Sequence, residues 1–202
     1  MIKEDNYIKD YLSGIESICK KINKKDISDV VEILADIKKK NGRLFILGVG
    51  GSAGSATHAV NDFRKIVNLE CYTPIDNVSE LTARTNDDGW NTVFINWLKV
   101  SCLNKNDCIF ILSVGGGDLE KNISVNIIEA IKFAKEVGAK TIGIVGRSSG
   151  FAARNADKSI IVPIVSNNMI TPFTESFHSV LCHLIVTHPK LKISETKWES
   201  VK

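Results

Sequence analysis

The chain has 202 residues, of which 44% are hydrophobic and 24% charged, and its formal net charge is +3 at pH 7. That length supports one core and one domain, residues 1–202, and so slight a positive balance argues against a nucleic-acid-binding surface. The densest basic groups, Lys20-Lys21, Lys24-Lys25 and Lys38-Lys39-Lys40, sit at helix-like positions and read as solvated faces, while no apolar run approaches the ~20 residues of a bilayer-spanning helix.

The opening run Met-Ile-Lys-Glu-Asp-Asn lacks the apolar region of a secretory signal. Five cysteines, Cys19, Cys71, Cys102, Cys108 and Cys182, are odd in number, widely spaced and set in apolar runs. They read as reduced core residues in a reducing compartment, so the expectation is a soluble cytoplasmic protein with neither membrane nor nucleic acid as partner.

In chain order, residues 2–22 and 27–40 carry apolar side chains at helical spacing; the second has a stripe of Ile27, Val30, Val31, Leu34 and Ile37, with Asp26 as the expected N-cap. Two helices within residues 1–40 thus precede an α/β core over 41–188, and a polar tail containing Trp198 follows over 189–202. Asn41-Gly42 closes the second helix, and residues 43–47 form a short apolar run suited to a strand buried on both faces. Similar runs recur at 108–112, 141–145 and 159–163, and more weakly at 69–72. Helical patterns lie between them, notably 123–137 before Gly138, and a last one spans about 174–186. Strands alternating with helices predict parallel pairing and a doubly wound sheet covered on both faces.

Ligands of such sheets bind beyond the carboxyl ends of the strands, where two loops are glycine-rich. The first is Gly48-Val-Gly-Gly-Ser-Ala-Gly-Ser55 and the second Ser113-Val-Gly-Gly-Gly-Asp118. Each alone is compatible with an ordinary tight turn. Together, their amides and the hydroxyls of Ser52, Ser55 and Ser113 suit an anion such as phosphate. Gly48-Val-Gly50-Gly-Ser-Ala53 also fits a dinucleotide fingerprint, with Glu70 at the distance of a ribose-binding acid, but that reading gives Ser113 and its loop no role.

His58 and Asp62 are four apart on the helix after the first loop and project from one face, as a metal-binding or imidazole–carboxylate pair would, and as an ordinary helix-face pair would too. Glu175, His178 and His183 interrupt an otherwise apolar helix, so at least one should face a site. From Glu175 to His183 the helix rises about 12 Å, too far for easy convergence on one ion, which leads to the expectation that ligands come from more than one subunit. His178 and His188 read as structural or exposed.

The run Gly-Val-Gly-Gly-Ser-Ala with His58-Ala-Val-Asn-Asp62, then Ser79-Glu-Leu-Thr-Ala83 with Asn86-Asp87, Ser113-Val-Gly-Gly, Thr174-Glu-Ser-Phe-His178 and His183, resembles the phosphoheptose isomerases over most of the chain. The resemblance implies the three-layer α/β sandwich of the SIS (sugar isomerase) family, with a five-stranded parallel sheet flanked by helices. It also implies a homotetramer with active sites at subunit interfaces. The implied activity is conversion of sedoheptulose 7-phosphate to D-glycero-D-manno-heptose 7-phosphate through an enediol, for lipopolysaccharide or capsule.

Carried over by position, Asp62 and His183 are the acid–base pair, and His58, Asp62, Glu175 and His183 the ligands of a zinc ion that would polarise the carbonyl. Gly50, Gly51, Ser52, Ser55, Asn86, Asp87, Ser113, Gly115, Gly116 and Glu175 would contact the sugar phosphate. Val49 replaces the family's asparagine, and Ser113-Val114-Gly115-Gly116 replaces Ser-Thr-Ser-Gly with two fewer hydroxyls. Asp62 replaces a glutamate and Glu175 a glutamine. A non-catalytic SIS module that senses a sugar phosphate or binds a protein partner, or an isomerase of another phosphosugar, are the rival readings.

Overall fold

The structure, a computed structural model, describes residues 4–201. The elements run α1 (Glu4–Lys21), α2 (Lys24–Lys39), β1 (Leu44–Gly48), α3 (Gly51–Lys65), β2 (Cys71–Tyr72), α4 (Val78–Asp87), a 3-10 turn (Trp90–Thr92) and α5 (Val93–Val100). They continue with β3 (Cys108–Ser113), α6 (Val125–Glu136), β4 (Lys140–Val145), α7 (Phe151–Asn155), β5 (Lys158–Ile161), α8 (Ile170–Val186) and α9 (Lys197–Ser200). Of the first expected helix, residues 2 and 3 lie outside the described residues, as do Met1 and Lys202.

Helix α2 starts earlier than its apolar stripe suggests. Asn23, not Asp26, is the N-cap, its side chain accepting from the Lys25 N–H at 2.9 Å. Asp26 falls in the first turn, where its charge suits the helix dipole, and it pairs with Lys158 at 2.6 Å. The helix ends as expected, with Asn41 in the left-handed region and the Gly42 N–H returning to the Ile37 carbonyl at 2.9 Å.

Five strands form one all-parallel sheet in the order β2-β1-β3-β4-β5. Every residue of β1 and β3 is buried, as strands covered on both faces require. Leu44, Ile46, Phe110, Leu112, Ile142 and Ile144 pack with residues of α2, α3 and α8 on one face. Phe45, Leu47, Ile109, Ile111 and Val145 pack with residues of α5, α6 and α7 on the other. The result is the expected three-layer sandwich, with two helices before the first strand. The tail is less polar in role than in composition. Leu191 is fully buried and the N–H groups of Ile193 and Ser194 both reach the Ile66 carbonyl, while Trp198 stays exposed.

All five cysteines are free, but only Cys71, Cys108 and Cys182 are buried; Cys19 and Cys102 are exposed, which corrects the reading of all five as core.

At the amino edge of the sheet, Asp107 is 1% exposed and organises the turn into β3. Its Oδ1 accepts from the Arg43 backbone N–H at 3.0 Å and the Arg43 Nε at 3.2 Å, while Oδ2 accepts from an Arg43 terminal nitrogen at 2.7 Å and the Asn104 N–H at 3.1 Å. Removing a buried partner leaves the rest unpaired. Asp107→Ala should therefore lower stability by about 3 kcal/mol, read as a lower urea midpoint with an unchanged m value.

Candidate functional site

The strand order reverses direction between β1 and β3, and both glycine-rich loops emerge at that switch. Gly48 pairs with Leu112, and Ser113 with Val145, so the loops after β1, β3 and β4 leave one sheet edge together. The first loop is tight because a Cβ on Gly48 would collide with the Ser52 carbonyl, and Gly50 caps α3 at φ 62°, a conformation that suits glycine. Ser52 is buried and Ser55 half-buried in the first turns of α3, below Gly50 and Gly51. In the second loop, the Ser113 hydroxyl is buried and accepts from the Gly116 N–H at 3.0 Å. Gly115 faces open space, with no atom within 4 Å of where a Cβ would stand.

The dinucleotide reading fails on placement. Glu70 precedes β2, and its carbonyl accepts from the Leu44 N–H at 2.9 Å at the start of β1. It therefore lies at the opposite end of that strand from Gly50, and its carboxylate accepts from the Tyr72 hydroxyl at 3.1 Å.

Helices α3 and α8 pack against each other on the same face of the sheet. Near their starts, both Glu175 carboxylate oxygens lie within 2.7 Å of where a Cβ on Gly51 would stand. Two to three turns on, His58, Asp62 and His183 meet, so the helices run side by side in the same direction. Asp62 Oδ2 lies 3.3 Å from His58 Nε2 and 3.4 Å from His183 Nε2, and the two Nε2 atoms are 3.1 Å apart. The other carboxylate oxygen, Oδ1, accepts from the Asn61 side chain at 3.0 Å. Asp62 is 7% exposed, whereas both imidazoles are 54% exposed, so the carboxylate forms the floor and the rings the rim.

These three groups converge within a single chain, so their meeting needs no neighbouring subunit, contrary to the expectation drawn from helix rise. The rise does separate Glu175, which is absent from the group of ligand atoms lying within 4.8 Å of one another. Asn86 and Asp87 end α4, a helix without buried residues, and bond to each other at 2.8 Å on the surface.

Two imidazole nitrogens and a carboxylate oxygen are the donor set of a divalent metal. Separations of 3.1–3.4 Å match the edge, about 3.3 Å, of a tetrahedron with metal–ligand bonds near 2.0–2.1 Å. The Asn61 bond supplies the outer support such carboxylates carry. Cys182, adjacent in sequence to His183, is not a candidate ligand. Burial pushes its thiol up to about 12, with the Asp62 carboxylate adding to the effect, and keeps it protonated.

His178 takes the structural role expected of it. The ring is fully buried, with Nε2 3.2 Å from the Ile144 carbonyl, and Nδ1 has no partner among the described residues. His188 is half-buried and accepts from the Lys190 N–H at 3.2 Å. One residue at the sheet edge escaped the sequence reading: Arg147, two positions beyond β4, points into a cavity shared with the second loop. Its position directly after an apolar strand was the available signal.

An SIS domain model matches residues 6–146. A phosphoheptose isomerase of Geotalea daltonii is 30% identical over 191 residues, covering 92% of this chain and 93% of that protein. Another from Aquifex aeolicus is 31% identical, covering 79% and 82%. Among solved structures, a phosphoheptose isomerase from Neisseria gonorrhoeae superposes with a TM-score of 0.77 at 23% identity, covering 91% of this chain and 96% of the other, a likeness of fold.

Burial pushes the His178 ring down to about 4 from an ordinary 6.5, against the pull of the Ile144 carbonyl. The folded state thus holds a neutral ring where the unfolded chain takes up a proton, so the contribution is complete above pH 6.5 and is lost as pH falls toward 4. His178→Gln should remove up to about 1.4 kcal/mol per pH unit from the slope of stability in that window, read from urea midpoints across it.

Proposed function

The chain belongs to the SIS-domain family, among the phosphoheptose isomerases, and from that membership we propose that it interconverts sedoheptulose 7-phosphate and D-glycero-D-manno-heptose 7-phosphate through an enediol. The observation that carries the proposal is the convergence of His58, Asp62 and His183 beside two anion-suited loops. A pure scaffold has no need of two imidazoles gathered over a buried carboxylate, which costs free energy to bury unless partnered.

In the forward direction the proton leaves carbon 1 of the ketose, the electron pair forms the enediol, and a proton arrives at carbon 2 while a hydroxyl proton passes from one oxygen to its neighbour. Asp62 and His183 share the two carbon-directed transfers. The ring of His58 fixes the carboxylate from the other side. A zinc ion held by His58, Asp62 and His183 would supply Lewis acidity to the sugar oxygens. Glu175 lies against Gly51, about 12 Å of helix rise from His183, so it is assigned to the sugar and not to the ion.

From Gly51 to His58 the helix rises about 10 Å, which separates the phosphate end of the substrate from its carbonyl end. Ser52, Ser55, the hydroxyl proton of Ser113 and the amides around Gly50, Gly51 and Gly115 take phosphate oxygens, with Gly116 holding Ser113 in place, and Asn86 and Asp87 take sugar hydroxyls. Phosphate bound there positions the reacting carbons.

Val180 and Leu184, on either side of His183 along α8, are 48% and 41% exposed, and Ile8 and Leu12 of α1 are 74% and 60% exposed. Such apolar surface suits burial against further copies, in keeping with a homotetramer whose interfaces border the sites. No helix among the described residues is long and apolar enough to cross a membrane, and a cytoplasmic role in supplying heptose for lipopolysaccharide or capsule fits the proposed product.

His183→Gln should reduce turnover by at least about 100-fold while shifting the thermal midpoint by no more than about 2 °C, with aldose formation followed by NMR. Unchanged turnover would defeat the assignment. Elemental analysis should find zinc at about one ion per chain, as the three-residue donor set implies, and Asp62→Ala should lose it.

A further inference from the structure

Resting on the isomerase reading, we propose that Arg147, with Lys121 facing it, forms the cationic wall of the pocket that receives the substrate's phosphoryl group.

A phosphate monoester brings about two negative charges, and the two glycine-rich loops offer little to meet them. Glu175 already sets a carboxylate against Gly51 at the mouth of the first loop. The second loop has one hydroxyl, that of Ser113, which is buried and turned inward to accept from Gly116. Gly115 and Gly117 bring no side chain. Amides at a helix N-terminus can hold such an anion, and a cation beside them adds the charge neutralisation that neutral donors lack.

The cavity beside the second loop provides one. It has a volume of about 250 Å³ and is lined by Gly115, Gly117, Asp118, Lys121, Arg147 and Ser149 among others. Arg147 follows β4, and the preceding Gly146 N–H donates to the Val114 carbonyl at 3.0 Å, which fixes the arginine's origin against the loop. The chain's Arg43, Arg64 and Arg84 engage protein acceptors, whereas Arg147 is exposed and has no ion-pair partner among the described residues. A guanidinium in that state matches a phosphoryl group bidentately.

Lys121 stands on a short hairpin closed by pairing of Asp118 with Ile123, and its ion pair with Asp118 is long, at 3.5 Å, and open to solvent. An exposed pair of this kind contributes little, so a dianion competes for the ammonium. The pocket floor is preformed. The Ala152 N–H donates to the Gly116 carbonyl at 2.8 Å and the Phe151 N–H to that of Gly117 at 2.9 Å, binding the second loop to the segment after Arg147. An adjoining cavity of about 560 Å³ shares Gly117, Asp118, Lys121 and Ser149 and adds Glu120 and Arg154, of opposite charge, so the cationic character belongs to the Arg147 side of the surface.

The test uses the purified full chain. Arg147→Ala should raise KM for sedoheptulose 7-phosphate by about tenfold or more, the loss of one charge-assisted contact, with kcat changed far less. It should weaken binding of inorganic phosphate in calorimetry by a similar factor, and should leave KM for unphosphorylated sedoheptulose unaltered. Arg147→Lys should recover part of the loss, and Lys121→Ala should show a smaller one. A KM and a phosphate dissociation constant both within about twofold of the parent in Arg147→Ala overturn the proposal. A parent chain that binds phosphate through Arg147 yet fails to isomerise the heptulose sinks the isomerase reading and leaves the pocket standing. A parent chain that isomerises the heptulose, with KM and phosphate affinity both unmoved in Arg147→Ala, does the reverse.

Discussion

The side-by-side, same-direction packing of α3 and α8 is the constraint from which the chemistry of this chain follows. It puts Asp62 under cover, where a carboxylate is costly unless its oxygens find partners. The sequence of the two helices supplies them: His58 one turn before, Asn61 one residue before, and His183 from across the helix pair. Because α8 places Glu175 against Gly51 and His183 against Asp62, the same packing also sets the distance between the mouth of the first loop and the triad. A register slip of one turn along either helix would separate the triad and move Glu175 off the loop together.

The sheet supplies the second constraint. Parallel strands in register bring three loops to one edge, and the first of these can turn directly into α3 only because Gly48 leaves room for the Ser52 carbonyl. The loops after β3 and β4 are joined by main-chain bonds between the second glycine loop and residues 146–152, so they behave as one preformed surface. At the far edge, Asp107 and Arg43 do the corresponding work for stability, tying the starts of β1 and β3 together away from the chemistry.

Much of this was legible in the sequence because it rests on local rules. Apolar runs of five or six residues marked the buried strands, glycine and asparagine marked helix ends, and the four-residue spacing of His58 and Asp62 placed them on one helix face. What failed was three-dimensional. Distance along one helix argued against easy convergence of Glu175 and His183 on one ion and so pointed to a second subunit, but nothing in that distance revealed that α3 would bring His58 and Asp62 to His183 within the same chain. Asn23 is the cap, and Asp26 one turn in pairs with Lys158, a partner 132 positions away that periodicity does not register. Glu70 satisfied a spacing rule for dinucleotides while lying at the wrong end of its strand, since spacing counts residues and not strand polarity.

Charge is distributed along this molecule in a way that separates holding from reacting. The triad gathers one carboxylate and two imidazoles at a rim half open to solvent, whereas Arg147, without an ion-pair partner among the described residues, lies at the carboxyl edge of the sheet beside the second glycine loop. Binding energy drawn from an anion at that edge does not depend on the state of the carbon chain, so it acts equally on ketose, enediol and aldose and serves to orient them. Discrimination among those species must then come from the triad, whose ligand atoms lie 3.1–3.4 Å apart over a buried floor. On the proposed reading, in which the second loop holds a charge, the loss of its hydroxyls leaves the chemistry intact because the guanidinium of Arg147 takes over from serine.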